Sequence, residues 1–449
     1  MIMEFFSIYQ KRLLWAIVSG AFIISLLHSF YYRIPPTVDA ATYDEIAMNV
    51  VEGRGFRLDG PEIPLGMDRA VGRVVPGYQL FLAAVYGVFG HHITLIWFIQ
   101  AVAHALSVLF MFHISRMVFR EMWYPAAGLI GAALIAFSPD LIIGSSMLLT
   151  ETIAIFLMLW FLYGFFRYME RTSLWTVLWS GAVFGVALLV RTPIGVLLLP
   201  MVAVFYQKKK LVHALLFVVL SAAVIFPWAW RNWNVYHAFI PSNLTYQDNF
   251  SAGNHPKASG ELDETRYEFF PSSDYRTYGP VVANERVFKA ALRYNAAHPL
   301  HFIKLTLYRT SIYFSFARPT GWWIYLQDLP YDRFVVVVLS GLYSVVVLTL
   351  GIAGIWQALR DATGETKKRV ISVVAMLVLT PLAIVFLIVE TRYRYPVYPF
   401  FALFAGYYAA YLLRYGTFFE RPLLLSFGVL SLNAIFDALR NLDRILERL

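Results

Sequence analysis

The side chains that could do chemistry lie in a few short stretches of this chain. The first runs from Pro35 to Pro76 and holds Asp39, Asp44, Glu45, Glu52, Asp59, Glu62 and Asp68 beside Arg54, Arg57, Arg69 and Arg73. Asp39 closes an apolar run and precedes a helical pattern, so an exposed carboxylate can be held there in a fixed place. After it Tyr43, Ile46, Ala47, Val50 and Val51 recur at helical spacing, as in a short helix lying on a membrane surface. Asp44 and Asp59 read as solvated charges of that helix and loop. A second carboxylate, Glu151, enters an apolar run at the end of SPDLIIGSSMLLTE, which also contains Asp140. In ETRYRYP, Glu390 to Pro396, two arginines and two tyrosines stand at the mouth of another run. Guanidinium forks bind phosphate oxygens bidentately. Because Arg392 and Arg394 alternate, one is placed for a ligand and the other for lipid headgroups.

The elements that must position these groups follow from composition. The 449 residues are 59% hydrophobic and only 14% charged, with a mean hydropathy of +0.60. A soluble protein of this length needs far more polar surface, so the fold class is an all-α polytopic membrane protein. A net charge of +9 fits cytoplasmic Lys/Arg and an anionic lipid partner; no basic patch with base-stacking spacing points to nucleic acid. Cysteine is absent, which excludes disulfides, thiolate metal sites and cysteine nucleophiles.

Lys11 and Arg12 precede a first span at about 13–32, read as a retained anchor with a cytoplasmic N-terminus. The next apolar piece, Tyr78 to Gly90, is short for a crossing, which needs roughly 20 residues. Treated as a juxtamembrane helix, it leaves Arg116, Arg120, Arg167, Arg171 and Lys208 to Lys210 on the cytoplasmic side. Spans are then expected at 93–115, 124–138, 146–166, 173–190, 194–206, 211–228, 332–358, 370–389, 396–413 and 421–436, about eleven in all. The chain divides into an N-terminal transmembrane module (1–230) with its first outer loop (33–92), an external segment (231–330) with interfacial helices at 281–297 and 299–316, and C-terminal transmembrane helices (331–449). Asp39, Glu151, Arg191, Arg231 and Arg392 all surface on the outer side. Ionisable groups at the edge of a bilayer core are expensive and suggest function.

The ordered features resemble the GT-C glycosyltransferases, the superfamily of protein mannosyltransferases and aminoarabinose transferases that use polyprenyl-phosphate sugars. The stretches that carry the likeness are DAATYDEIAMNVVEGRGF, RVVPGYQLFLAAVYGVFG, SPDLIIGSSMLLTETIAIFLMLW, GVALLVRTP, PWAWRNWNVYHAFIPSN, AGNHPKASG and ETRYRYPVYPFFALFAG. It is nearest to the ArnT-like and RgtA-like members. It departs from the mannosyltransferase pattern where Ala40 follows Asp39 and where VVPGYQLF stands, which points away from protein O-mannosylation. The resemblance implies an inverting transfer from a polyprenyl-phosphate sugar to a glycan, lipid or protein acceptor, on the outer face of a bacterial inner membrane. It implies Asp39 as general base and Glu151 as second carboxylate, with Arg392, Arg394 and Tyr393 at the donor phosphate. Tyr43, Arg73, Arg191, Arg231 and Asn254 become candidate substrate contacts.

No cofactor is expected: there is no Asp-x-Asp for a nucleotide-sugar metal, and Gly53-Arg54-Gly55 lacks the third glycine of a dinucleotide loop. His91-His92 and His298-Pro-Leu-His301 could bind a metal but have no evident carboxylate partner. Gln100 and His104, mid-span, are expected to hydrogen-bond between helices. The competing class is a transporter or lipid-linked-sugar flippase. Those show paired half-repeats, whereas polarity here concentrates on one side of the membrane. Parity makes a direct prediction: tags after Tyr168 and after Lys209 should be cytoplasmic and one near Lys257 external. An external tag at Lys209 in a protease-accessibility assay would mean that Tyr78 to Gly90 crosses.

Overall fold

The computed structural model describes residues 2–59, 69–122, 124–261, 272–326, 333–417 and 420–442. Glu62, Asp68 and the end of the amphipathic tail lie outside them. The described residues form helices and turns, with no strand. The chain enters through α1 (Ile2–Tyr32), then α2 (Asp39–Val51) and α3 (Gly77–Phe89). It continues with α4 (Ile93–Val118), α5 (Tyr124–Ala136), α6 (Pro139–Ser145), α7 (Thr150–Glu170), α8 (Leu174–Val190), α9 (Leu198–Gln207) and α10 (Leu211–Tyr236). Next come α11 (Thr245–Gly253), α12 (Ser272–Ala297) and α13 (Pro299–Phe314). The chain closes with α14 (Arg333–Asp361), α15 (Gly364–Val385), α16 (Tyr398–Tyr415) and α17 (Arg421–Arg440).

Eight described helices are long and apolar enough to cross a bilayer, or nine if α5 and α6, bent by 53°, make one broken span. The expected eleven counted two further crossings that are shorter apolar helices, Leu174–Val190 and Thr192–Gln207. A helix rises about 1.5 Å per residue and the hydrocarbon core is about 30 Å thick, so such lengths fall short of a full straight crossing. The break between α5 and α6 lies at Pro139, where the ring removes a helical donor.

The short helix α3 packs between α2, α4 and α8. Its first residue, Gly77, packs on the backbone of Leu189 at the end of α8. Its far end leads through His91 and His92 into the start of α4, and the Tyr78 hydroxyl donates to Gln100 Oε1 at 2.8 Å. At 13 residues α3 is too short for a straight crossing. Asp44 is no simple solvated charge: it accepts from the Tyr86 hydroxyl at 2.7 Å and meets His91 Nε2 at 3.0 Å, tying α2 to α3.

α16 is the most buried of the candidate spans and packs against both α5 and α14. Small residues make this approach possible: Gly406 lies on the backbone of Ala127 and Gly131, and Gly354 on that of Phe404, where a Cβ would collide. Close backbone approach through small residues is how helices gain contact where lipid supplies no hydrophobic drive. Polar side chains add links, as expected for Gln100 and His104. Gln100 donates to the Ser145 and Met147 carbonyls, and His104 pairs with Ser25 Oγ at 2.8 Å.

A buried arginine joins the 231–330 segment to the bundle. Arg309 on α13 is fully buried, and its guanidinium bonds to the Gly253 carbonyl, to Asn254 Oδ1 at 3.1 Å and to the Val385 carbonyl at 3.4 Å. Gly253 and Val385 are the last residues of α11 and α15, so one cation caps two helix C-termini and meets their negative dipole ends. Burial pulls the Arg309 pKa down to about 10, which leaves it charged at neutral pH. Arg309→Met strands buried carbonyls that each cost about 1–3 kcal/mol when unpaired. The thermal unfolding midpoint should fall clearly, with Arg309→Lys recovering only part of the loss because one ammonium cannot span both carbonyl sets.

Candidate active site

Four chain segments remote in sequence meet at one end of the bundle. Asp39 opens α2, Glu151 sits in the first turn of α7, Arg191 follows the last residue of α8, and Arg392 lies in the 3-10 turn Thr391–Val397 that leads into α16. Each is at a helix end for the same reason: the adjoining apolar run is membrane-buried, and a charge is tolerated only where the run stops.

Asp39 Oδ2 is held from two sides, by Arg392 Nη2 at 2.9 Å and by the Tyr325 hydroxyl at 3.1 Å. Among the described residues Oδ1 has no protein partner, and the Asp39 side chain is 33% exposed. The carboxylate is thus anchored through one oxygen and open through the other. Arg392 is engaged throughout: Nη1 donates to the Tyr325 oxygen at 2.5 Å and Nε to Glu390 Oε2 at 2.6 Å. Burial pushes the Tyr325 hydroxyl well above its ordinary pKa, so it stays protonated and can donate to Asp39.

Glu151, only 5% exposed, pairs with Arg191 Nη1 at 3.0 Å; the same nitrogen reaches Thr150 Oγ1 at 3.2 Å. The two ion pairs share a wall. The guanidinium carbons of Arg191 and Arg392 each lie 5.6 Å from the centre of the Tyr393 ring, within cation–π reach. Tyr43 stands within electrostatic reach of Asp39, Arg392, Glu151 and Arg191. Glu151 also lines a small cavity together with His104, Ser107, Asp140, Thr152 and Trp322.

The remaining candidates are placed elsewhere. Arg394, expected at the donor phosphate, is buried. Its guanidinium bonds to the Ser315, Arg318 and Pro319 carbonyls, the Tyr398 hydroxyl at 3.0 Å and Ser344 Oγ at 3.2 Å. Those contacts fix the turn that carries Arg392. Asp140 is likewise enclosed, accepting from the Tyr395, Ser340 and Tyr398 hydroxyls. Arg73 pairs with Asp248 at 2.5 Å. Arg231 donates to the Phe56 and Ala70 carbonyls at 2.9 and 2.6 Å and lies over the Trp228 ring. Asn254 bonds to the Phe250 and Phe386 carbonyls and to Arg309. These three hold loop one and the 231–330 segment to one another and to the bundle.

Sequence reasoning missed Tyr325 and Glu390 as site residues. Glu390 stood in plain sight beside Arg392. Tyr325 lies in an aperiodic segment, and nothing in the sequence links it to Asp39. Tertiary anchors bring it there: Trp322 is fully buried and donates to the Asp140 carbonyl at 2.9 Å, while Gly321 packs on the Arg392 backbone. Among the described residues, no group of three or more His, Asp or Glu side chains converges as metal ligands.

From Arg73 to Trp230 the chain matches the family described as dolichyl-phosphate-mannose-protein mannosyltransferase. That range includes Glu151 and Arg191 and stops short of Asp39 and Arg392. No curated protein sequence matches the chain. Among solved structures, the oligosaccharyltransferase of Archaeoglobus fulgidus, tethered to an acceptor peptide containing an NVT sequon, shares the fold at a TM-score of 0.56. It is 13% identical over 96% of this chain and 55% of its own. The archaeal oligosaccharyltransferase AglB from Archaeoglobus fulgidus, in complex with an inhibitory peptide and a dolichol-phosphate, matches at 0.55 with 14% identity over 96% of this chain and 55% of its own. The chain thus spans about half the length of these proteins. The GT-C likeness drawn from the order of sequence features is borne out by this family match and fold.

One backbone feature marks the Asp39 position. Val38, just before it, has φ 53° and ψ −120°, a region that β-branched residues avoid. Strain of this kind costs on the order of 1–3 kcal/mol and persists where surrounding contacts over-determine the geometry. Val38→Gly should therefore raise the thermal unfolding midpoint, whereas Val38→Ala, which retains the Cβ, should change it little. A lower midpoint for the glycine variant would contradict the strain.

Proposed function

We propose that this protein is an integral-membrane glycosyltransferase that moves a sugar from a polyprenyl-phosphate donor to an acceptor hydroxyl of a glycan, lipid or protein. The observation that carries the reading is Asp39, anchored through Oδ2 by Arg392 and Tyr325 and open at Oδ1. The GT-C fold and the mannosyltransferase family match support the reaction class. Polyprenyl phosphate as the lipid is supported by the dolichol-phosphate complex of the archaeal neighbour.

In this mechanism Asp39 Oδ1 accepts the proton of the acceptor hydroxyl as its oxygen attacks the anomeric carbon. The anomeric carbon–oxygen bond to phosphate breaks, the bonding pair leaves with the polyprenyl phosphate, and the configuration inverts. Arg392 and Tyr325 orient the base, and a guanidinium beside Tyr393 stabilises the departing phosphate. Fixed donors aimed at developing charge contribute about 3–4 kcal/mol each. Glu151 orients Arg191. Arg394, Arg73, Arg231 and Asn254 support the site through the segments they hold.

The sidedness is part of the proposal. The opposite end of the bundle carries Arg116, Arg167, Lys208 and Arg369, with Arg369 donating to the Met117 carbonyl at 2.7 Å and Lys208 to that of Met169 at 3.0 Å. A basic end facing the cytoplasm puts the Asp39 end on the outer face of the membrane.

Asp39→Asn tests the role of the base. The amide keeps the size and both hydrogen-bonding positions but cannot accept a proton. Transfer of a labelled sugar from a polyprenyl phosphate should fall by about two to four orders of magnitude, with donor binding little changed. Near-normal transfer by Asp39→Asn alongside inactive Glu151→Gln would hand the role to the second carboxylate.

A further inference from the structure

The two guanidiniums beside Tyr393 differ in what they have left to offer. Arg392 is committed through all three nitrogens, to Glu390, Tyr325 and Asp39. Two carboxylates already meet its single charge. Arg191 uses only Nη1, toward Glu151 and Thr150. Among the described residues its Nε and Nη2 have no protein partner, and the side chain keeps 12% exposure. The Tyr43 and Tyr393 hydroxyls also lack protein partners among the described residues, and both rings adjoin Arg191 electrostatically. A guanidinium with a free edge and two phenol donors is a set of N–H and O–H groups with nothing to accept them. An anion with several acceptor oxygens is what fits it.

We propose a division of labour, resting on the reading above: Arg191, with Tyr43 and Tyr393, receives the donor phosphate, while Arg392 is a positioning residue that holds Asp39. The ligand class is a polyprenyl phosphate, as the sugar diester of the donor or as the monoester that leaves; in either, two non-bridging oxygens match the Nε–Nη2 edge of one guanidinium. Glu151 keeps Arg191 in place through the opposite nitrogen and so sets the direction in which that edge points. Arg392, by contrast, must break a bond to Asp39, Tyr325 or Glu390 before it can bind phosphate. Bringing the phosphate to Arg191 therefore leaves the Asp39 clamp intact during the reaction.

The experiment uses the full chain in lipid nanodiscs and compares binding of a polyprenyl phosphate with that of the uncharged polyprenol. The ratio of the two isolates the phosphate. Arg191→Gln alone strands Glu151 without its partner, so the informative variant is Arg191→Gln with Glu151→Gln, which removes both charges of the pair. It should lose tenfold to a hundredfold of the preference for phosphate while still binding polyprenol. Glu151→Gln alone should keep or strengthen the preference, because a neighbouring anion is removed. Arg392→Gln should retain the preference within about threefold and lose sugar transfer. Loss of the preference in Arg392→Gln with retention in the double variant would overturn the assignment, and so would equal losses in both. If the wild-type chain shows no preference for phosphate over alcohol, the polyprenyl-phosphate reading falls and this assignment with it. A folded double variant is recognised by its unchanged polyprenol binding.

Discussion

A charge inside a bilayer is so costly that it must find a counter-charge, a ring of dipoles or the end of the hydrocarbon layer. This constraint organises the whole molecule. At one end, Asp39, Glu151, Arg191, Glu390 and Arg392 gather where apolar runs stop. At the other, Arg369 approaches the Met117 carbonyl and Lys208 that of Met169. Arg394, enclosed in the interior, meets the same demand through three backbone carbonyls and two hydroxyls. The buried arginines are therefore structural joints as much as charges. Each gathers carbonyls from segments that would otherwise leave polar groups unpaired.

These joints explain how a loop-built site can be rigid. The turn that carries Arg392 is held from below by Arg394 and from the side by Gly321, which lies on the Arg392 backbone. The Trp322 ring is sunk beneath the same turn and fixes the short helix that presents Tyr325. Loop one is held by Arg231 and by the Arg73–Asp248 pair. A constellation that must keep an oxygen within about half an ångström needs such second-rank support. Here it comes from residues that the sequence marks only as charged and near a membrane edge.

The contrast between the two carboxylates follows from their surroundings. Glu151 is nearly enclosed and paired with Arg191. Asp39 is one-third exposed and leaves one oxygen open. Of two acids beside two guanidiniums, one keeps an oxygen free to meet a ligand. The enclosed one is placed to hold its partner still.

By itself the sequence determined the class of the protein, the helical run of the chain and the level at which its charges sit. Hydrophobic length and the price of burying a charge are local properties, readable residue by residue. Hence α2 was expected from the spacing of Tyr43, Ile46 and Val50, and α3 as a helix too short to cross. Which charges pair was another matter. Arg392 and Arg394 look equivalent in sequence, two residues apart in one motif, yet one meets Asp39 and the other three carbonyls. Tyr325 reaches Asp39 across 286 positions of chain, and no period or spacing records such a contact. Asp44 looked solvated until Tyr86 and His91 closed on it. Only the tertiary structure decided these, because direction, pairing and enclosure are set by how helices pack against one another, and packing is a property of pairs of segments.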